Sequence, residues 1–311
     1  MDWKPEPARS QDPLETTPYD RWVSPEGYCQ AEFHARDCGY FLRFPGQADF
    51  LIELVGQAGG EVDQSRAQHR VIGWPTPECG AAQIINLFHN AIQPLLGNHS
   101  GGLFLHGSAV LIENEGGATG QENAGAVAFL GLSRGGKTTL AGSFAREGRP
   151  FLTEDVIDLR LEAGEYWLQP KRSKLRLFAD SARFLLGKDT DIQDDNLKQD
   201  VEAGTTFPFA DKPAPIRQIY VLGTDHRASL SIKKLSLQEA LGALMPHSFI
   251  LDVEDKSRLR GHFSRLADLS QDIGCYALDF TRDYAELPRV QNAVLETFRS
   301  DIDQRSANLG L

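Results

Sequence analysis

Nine consecutive residues, Gly131-Leu132-Ser133-Arg134-Gly135-Gly136-Lys137-Thr138-Thr139, fill every fixed position of the spacing G-x-x-x-x-G-K-[ST]. Glycines at 131, 135 and 136 let backbone N–H groups approach a phosphate chain closely, with Ser133 and Thr139 completing the turn. Lys137 would reach the β- and γ-phosphates of a nucleoside triphosphate such as ATP, and the Thr138 hydroxyl would hold Mg²⁺. Arg134 could add a cation at the γ-phosphate. Two acids, Glu154 and Asp155, follow shortly after Lys137. Phosphoryl transfer to a hydroxyl needs one carboxylate near the metal and another to take the acceptor proton, and adjacent acids at a strand end can do both. His106, next to Gly107, could hydrogen-bond the carboxylate or the γ-phosphate. Lys171 and Arg172 are candidates for contact with phosphate or a peptide acceptor.

The surrounding elements suit this use. Residues 126–130 are a short apolar run that predicts a buried strand, and a helix opens at Thr138, so the glycine-rich turn leads into a helix N-terminus that favours anions. Residues 150–153 predict a second buried strand that ends at Glu154 and Asp155, beside the loop strand. Gly148 sits where the short intervening helix should stop. Residues 103–112 predict a strand or two short strands, with His106 at a strand end. If that strand lies beside the loop strand, the histidine faces the same end of the sheet.

Further out, residues 40–44 and 49–54 flank Pro45-Gly46-Gln47 as a β-hairpin, and residues 71–74 predict another strand. Ile84, Ile85, Phe88, Ile92, Leu95 and Leu96 recur at helical spacing over residues 81–96, with Gly97-Asn98 as the expected stop. Residues 157–161 and 166–168 read as a hairpin, and 216–222 as a strand. Ser236 followed by Glu239 is a capping box, and amphipathic helices are expected over 259–273 and 287–299. Residues 113–125 read as an exposed loop, the first 18 or so residues as loose, and 187–212 as a mobile acidic insertion.

A chain of 311 residues suggests about two domains at ~150 residues each. The division expected is a small α+β module with a docking helix over 1–97 and an α/β catalytic domain over 98–311. A net charge of −11 argues against a broad nucleic-acid or anionic-membrane surface. No apolar run approaches the ~20 residues that cross a bilayer, and the N-terminus lacks a signal core. Cys29, Cys38, Cys79 and Cys275 show no C-x-x-C spacing and read as reduced thiols of a cytoplasmic protein.

His106-Gly107, the loop Gly131–Thr139 and Leu152-Thr153-Glu154-Asp155 together resemble the catalytic domain of the HPr kinase/phosphorylase family, over roughly residues 98–295. The loop also resembles that of phosphoenolpyruvate carboxykinases, which share the core. The resemblance implies a P-loop kinase fold of the HPr kinase/carboxykinase type, with ATP and Mg²⁺ as cofactors. It implies that Glu154 acts as general base, that Asp155 lies near the metal with Thr138, that Lys137 binds phosphate and that His106 assists. It also brings a precedent for homo-oligomers. The chain departs from the family where Glu154 replaces an aspartate and Arg134 a small residue, and no glutamate-arginine-glycine signature follows. Residues 169–174 stand near that place instead. Residues 1–97 do not resemble the bacterial N-terminal domain, so HPr is not carried over as substrate. Some HPr-kinase-like proteins phosphorylate a serine of ribosomally made precursor peptides, lasso-peptide precursors included, and a peptide or small protein is the acceptor expected here. Two other readings stay open: a small-molecule or carboxykinase-like phosphotransferase, and a nucleotide-binding regulator without catalysis.

Overall fold

The computed structural model describes residues 2–24, 27–55, 68–113, 124–187 and 198–309. The chain divides into two compact units, Met1–Gly102 with Phe249–Gly261, and Leu103–Ser248 with His262–Leu311. Residues 249–261, expected with the second domain, therefore belong to the first unit. Asn98 donates its side-chain amide to the Phe249 carbonyl and Tyr40 its hydroxyl to Asp252 there.

The first unit is a six-stranded sheet built from β1 (Asp2–Pro5), β2 (Asp20–Val23), β3 (Cys29–Arg36), β4 (Gly39–Phe44), β5 (Ala48–Val55) and β6 (Gln68–Pro75). The order is β1-β6-β5-β4-β3-β2, antiparallel except for β1 beside β6. The expected hairpin is β4–β5. The N-terminal residues are not loose throughout. Trp3 in β1 stacks on Phe88 at 4.3 Å between ring centroids, a contact that polar composition does not reveal. The expected helix over 81–96 is α1 (Ala81–Leu87), a wider turn over Phe88–Ile92, and α2 (Gln93–His99). It runs through Gly97 and ends at Ser100, ahead of Gly101 at φ +89°.

The second unit holds a mixed sheet. Its strands are β7 (Leu103–Ile112), β8 (Gly125–Leu130), β9 (Phe151–Thr153), β10 (Val156–Glu162), β11 (Glu165–Gln169), β14 (Ala214–Leu222), β15 (Ser231–Lys234) and β16 (Gly274–Asp279), with β12 (Lys174–Leu177) and β13 (Gln199–Glu202) forming a separate ribbon. The order β11-β10-β7-β8-β14-β16-β15 is parallel only across β8-β14-β16, and β11 also pairs with β14. Its helices are α3 (Lys137–Arg146), α4 (Ala179–Leu186), α5 (Leu237–Leu244), α6 (Lys256–Asp272, which starts in the first unit) and α7 (Leu287–Leu309). Ser236 and Glu239 form the expected capping box at α5. One core packs α3, α4 and α7 on one face, with Phe129 and Phe144 stacked at 5.7 Å. Burying each such ring contributes about 1.5–3 kcal/mol. The other face is filled by Leu105, Leu130, Ile157, Leu168, Ile219, Leu244, Leu266 and Leu269.

Two expectations change here. Strand β9 pairs with β7 and does not lie beside β8, so the acids reach the loop across the histidine strand. The polar stretch 187–212 contains β13, which pairs with β12; positions 188–197, like most of the expected loop at 113–125, lie outside the described residues.

Strand β7 is one continuous strand, and it forks the sheet. Residues 103–106 pair with β10, whereas 107–112 pair with β8. The crossing point is Gly107, where a Cβ would lie 2.5 Å from Leu130 Cδ2 and 2.7 Å from both Ile157 Cδ1 and the Phe129 carbonyl oxygen. Gly107→Ala is therefore expected to destabilise the protein by about 1–3 kcal/mol, read as a lower urea midpoint at unchanged slope. A wild-type midpoint would show that the fork has slack.

Candidate functional site

The site grows from the fork. Because β8 ends at Leu130, paired with Gly107, the chain leaves the sheet as a glycine-rich turn next to His106, and His106 itself pairs with Val156 on the other side. His106 thus sits in mid-strand, not at a strand end as expected, and the end of β8 is what exposes it. The turn runs into α3, with Gly136 at φ +91° as its N-cap, a conformation that glycine adopts without strain. Arg134 and Asp155 hold positive φ values, +60° and +69°, without being glycine. Such backbone is retained where surrounding structure enforces it, and it clusters at functional positions.

A cavity of about 510 Å³ opens over this turn, within the range of small-molecule sites. His106, Ser133, Arg134, Gly135, Gly136, Lys137, Thr138, Thr139 and Asp155 all line it. Among the expected residues, Gly131, Glu154, Lys171 and Arg172 are absent from that lining. Gly131 instead offers its carbonyl to Lys137 Nζ at 2.9 Å, with Leu132 O at 3.0 Å. Lys171 is engaged by Asp158 at 2.6 Å and stands away from the cavity. Arg172, outside the lining, lies close enough to Asp155 and Glu154 to feel both charges, and its contact with phosphate or a peptide stays an expectation. Glu154 lies directly behind the lining and is buried. Its Oε1 accepts from Thr138 Oγ1 at 3.0 Å and from Lys198 Nζ at 3.1 Å. Lys198 Nζ also reaches Asp155 Oδ1 at 3.2 Å, and Arg176 reaches Asp155 Oδ2 at 3.5 Å.

The electrostatics follow from burial and these partners. Burial raises Glu154 above the usual carboxylate range, and the charge of Asp155 adds to it. Burial pushes Asp155 the same way, but Lys198, His106 and Arg176 outweigh it and hold the carboxyl well below the ordinary value. Asp155 is therefore the ionised member of the pair. Burial lowers Lys137 to about 8, and Lys198 adds to that while the two acids oppose it. Burial, helped by Lys137, lowers His106 to about 4, so its imidazole is neutral near pH 7.

Four contributors escaped the sequence reading. Arg176 carries a usable signal, because Lys174-Leu175-Arg176-Leu177 alternates charge with buried leucine and so marks a strand with one cationic face. Lys198 has no local signal. Phe178 lines the cavity under the guanidinium of Arg134, 4.6 Å away. Arg282 anchors the turn from outside, with Nε on the Gly135 carbonyl at 3.1 Å and its other nitrogens on the Phe280 and Gly223 carbonyls.

The donor set suits a hard cation. Thr138 and Glu154 offer oxygen only, with Asp155 adjacent, which fits Mg²⁺ sharing its shell with phosphate and water. Among the described residues no cluster of three or more His, Cys, Asp or Glu forms a closed metal cage.

Comparison with known proteins adds a distant structural likeness. No protein-family model matches the chain, and no curated protein matches it. A solved structure of the Hpr(Ser) kinase/phosphatase from Coxiella burnetii aligns with 65% of this chain and 99% of its own, at 11% identity and a TM-score of 0.37. No helix among the described residues is long and apolar enough to cross a membrane.

Proposed function

We propose that the second unit binds Mg·ATP on the turn Gly131–Thr139 and transfers the γ-phosphoryl group to a serine hydroxyl of a peptide or small protein. The observation that carries this reading is one constellation: Thr138 tied to Glu154, with Asp155 and His106 facing the same cavity as the glycine-rich turn. Binding of Mg·ATP alone requires neither Asp155 nor His106. Mg²⁺, when held by Thr138 and Glu154, would neutralise charge on the β- and γ-oxygens. Lys137 and the backbone N–H groups at the start of α3 orient the phosphates. Asp155, the acid that lines the cavity, accepts the proton of the acceptor hydroxyl. Neutral His106 donates a hydrogen bond at the same point. This partition reverses the one the motif resemblance implies, and it follows from which acid touches Thr138 and which lines the cavity. The peptide or small-protein acceptor rests on the motif resemblance and on the first unit, whose fold the chemistry itself does not need.

The test is incubation with γ-labelled ATP, Mg²⁺ and serine-containing peptides, run beside small-molecule alcohols. Label is expected on a peptide serine and lost when that serine becomes alanine. Label on a small alcohol alone would move the protein to the small-molecule kinases. Tight ATP binding with no transfer to any acceptor would leave it a regulator.

A further inference from the structure

Lys198 raises a question that phosphoryl transfer does not answer. It comes from the stretch before β13, far along the chain from the turn, yet its ammonium lies between the two acids. Both Lys198 Nζ and Thr138 Oγ1 converge on the same oxygen, Glu154 Oε1, at 3.1 and 3.0 Å. With Arg176 on the far oxygen of Asp155, the two carboxylates already face two cationic groups. We propose that Lys198 is the resident cation of the acid pair in the nucleotide-free protein, and that it and a divalent ion exclude one another at Glu154.

The reason is charge and space. A divalent ion bound to Thr138 Oγ1 and Glu154 Oε1 would stand next to an ammonium on that same oxygen, and like charges that close repel strongly. One of the two must leave. The ammonium can do so because it sits on a flexible four-carbon stem, and its side chain is about one-quarter exposed. The Phe178 ring, 5.7 Å from Nζ, gives it a second resting place along the cavity wall. In this arrangement the acids stay neutralised until Mg·ATP supplies both the replacement cation and the phosphates, so divalent metal alone binds poorly. The inference rests on the phosphotransfer reading for its purpose, but its geometry stands on the protein without nucleotide.

The experiment measures Mn²⁺ binding by electron paramagnetic resonance on the full chain, with neither nucleotide nor acceptor present. Lys198→Met is expected to bind Mn²⁺ at least about tenfold more tightly than wild type, and Lys198→Arg to match wild type. Mn²⁺ should also raise the melting temperature of Lys198→Met more than that of wild type. If Lys198→Met does not fold, Lys198→Gln, which keeps length and polarity without charge, decides the matter. Equal Mn²⁺ affinity in wild type and the neutral variant overturns the proposal. That result with lost transfer would make Lys198 a phosphate contact instead. Because the titration contains no ATP, a protein that fails to transfer phosphate can still show the exclusion, and the two readings fail separately.

Discussion

Asp155→Asn is expected to lower phosphoryl transfer by about 10²–10⁴-fold while ATP affinity stays near wild type. Three features make this variant informative. Asn and Asp are the residues that best tolerate positive φ, so the backbone at +69° is kept. The side chains match in size, so the neighbouring cavity wall is unchanged. What disappears is the carboxylate that lines the cavity, and with it the acceptor for a hydroxyl proton. Glu154→Gln should behave differently. Its loss is expected to raise the Mg²⁺ concentration needed for half-maximal rate, because Glu154 is the acid bound to Thr138. The measurement is initial rate against Mg²⁺ and ATP for both variants. If Asp155→Asn keeps turnover while Glu154→Gln abolishes it at every Mg²⁺ concentration, the roles are those of the motif resemblance, with Glu154 the base.

The contrast between these two acids shows how far sequence reasoning reaches. The turn Gly131–Thr139 was legible because its chemistry is local: strand, glycine-rich turn and helix start are contiguous, and each has its own signal. The α5 cap was legible for the same reason, since Ser236 and Glu239 are one helical turn apart. The acid pair could be found but not apportioned. Which carboxylate turns to Thr138 depends on the positive φ of Asp155 and on the fork in β7, and neither is encoded in the identity of residues 154 and 155. Sequence order implies that β9 neighbours β8, whereas β7 inserts itself between them. Lys198 and Arg282 were invisible because their partners are other stretches of chain: Glu154 and Asp155 for one, the Gly135 and Gly223 carbonyls for the other. Trp3 escaped for a related reason. A lone aromatic in a polar, proline-bearing segment has no periodicity to mark it, yet its stacking on Phe88 secures β1.

Lys137→Ala is expected to weaken ATP binding by about 100-fold or more, with no loss of thermal stability. The affinity follows from chemistry at the phosphates, where charge-assisted hydrogen bonds contribute about 1.5–3 kcal/mol each and an ammonium offers several. In the structure that ammonium is already turned inward, donating to the carbonyls of Gly131 and Leu132, and only 6% of the residue is exposed. Stability moves the other way from affinity. Burial has pulled Lys137 down to about 8, which says that the folded protein disfavours its charge relative to water. The sign is fixed by that shift: the unfolded chain holds the proton more tightly, so near pH 7 and below the charged lysine works against folding, and the penalty fades as pH rises from about 8 toward the ordinary lysine value. Removing the side chain relieves it, and that relief offsets the two hydrogen bonds that the Gly131 and Leu132 carbonyls lose. A variant that melts at or above the wild-type temperature yet fails to bind ATP separates a binding role from a structural one. Calorimetric titration with ATP, paired with thermal melts over pH 6–9, reads both quantities. Unchanged ATP affinity would refute the assignment of Gly131–Thr139 as the phosphate site, and with it the chemistry built on Glu154 and Asp155.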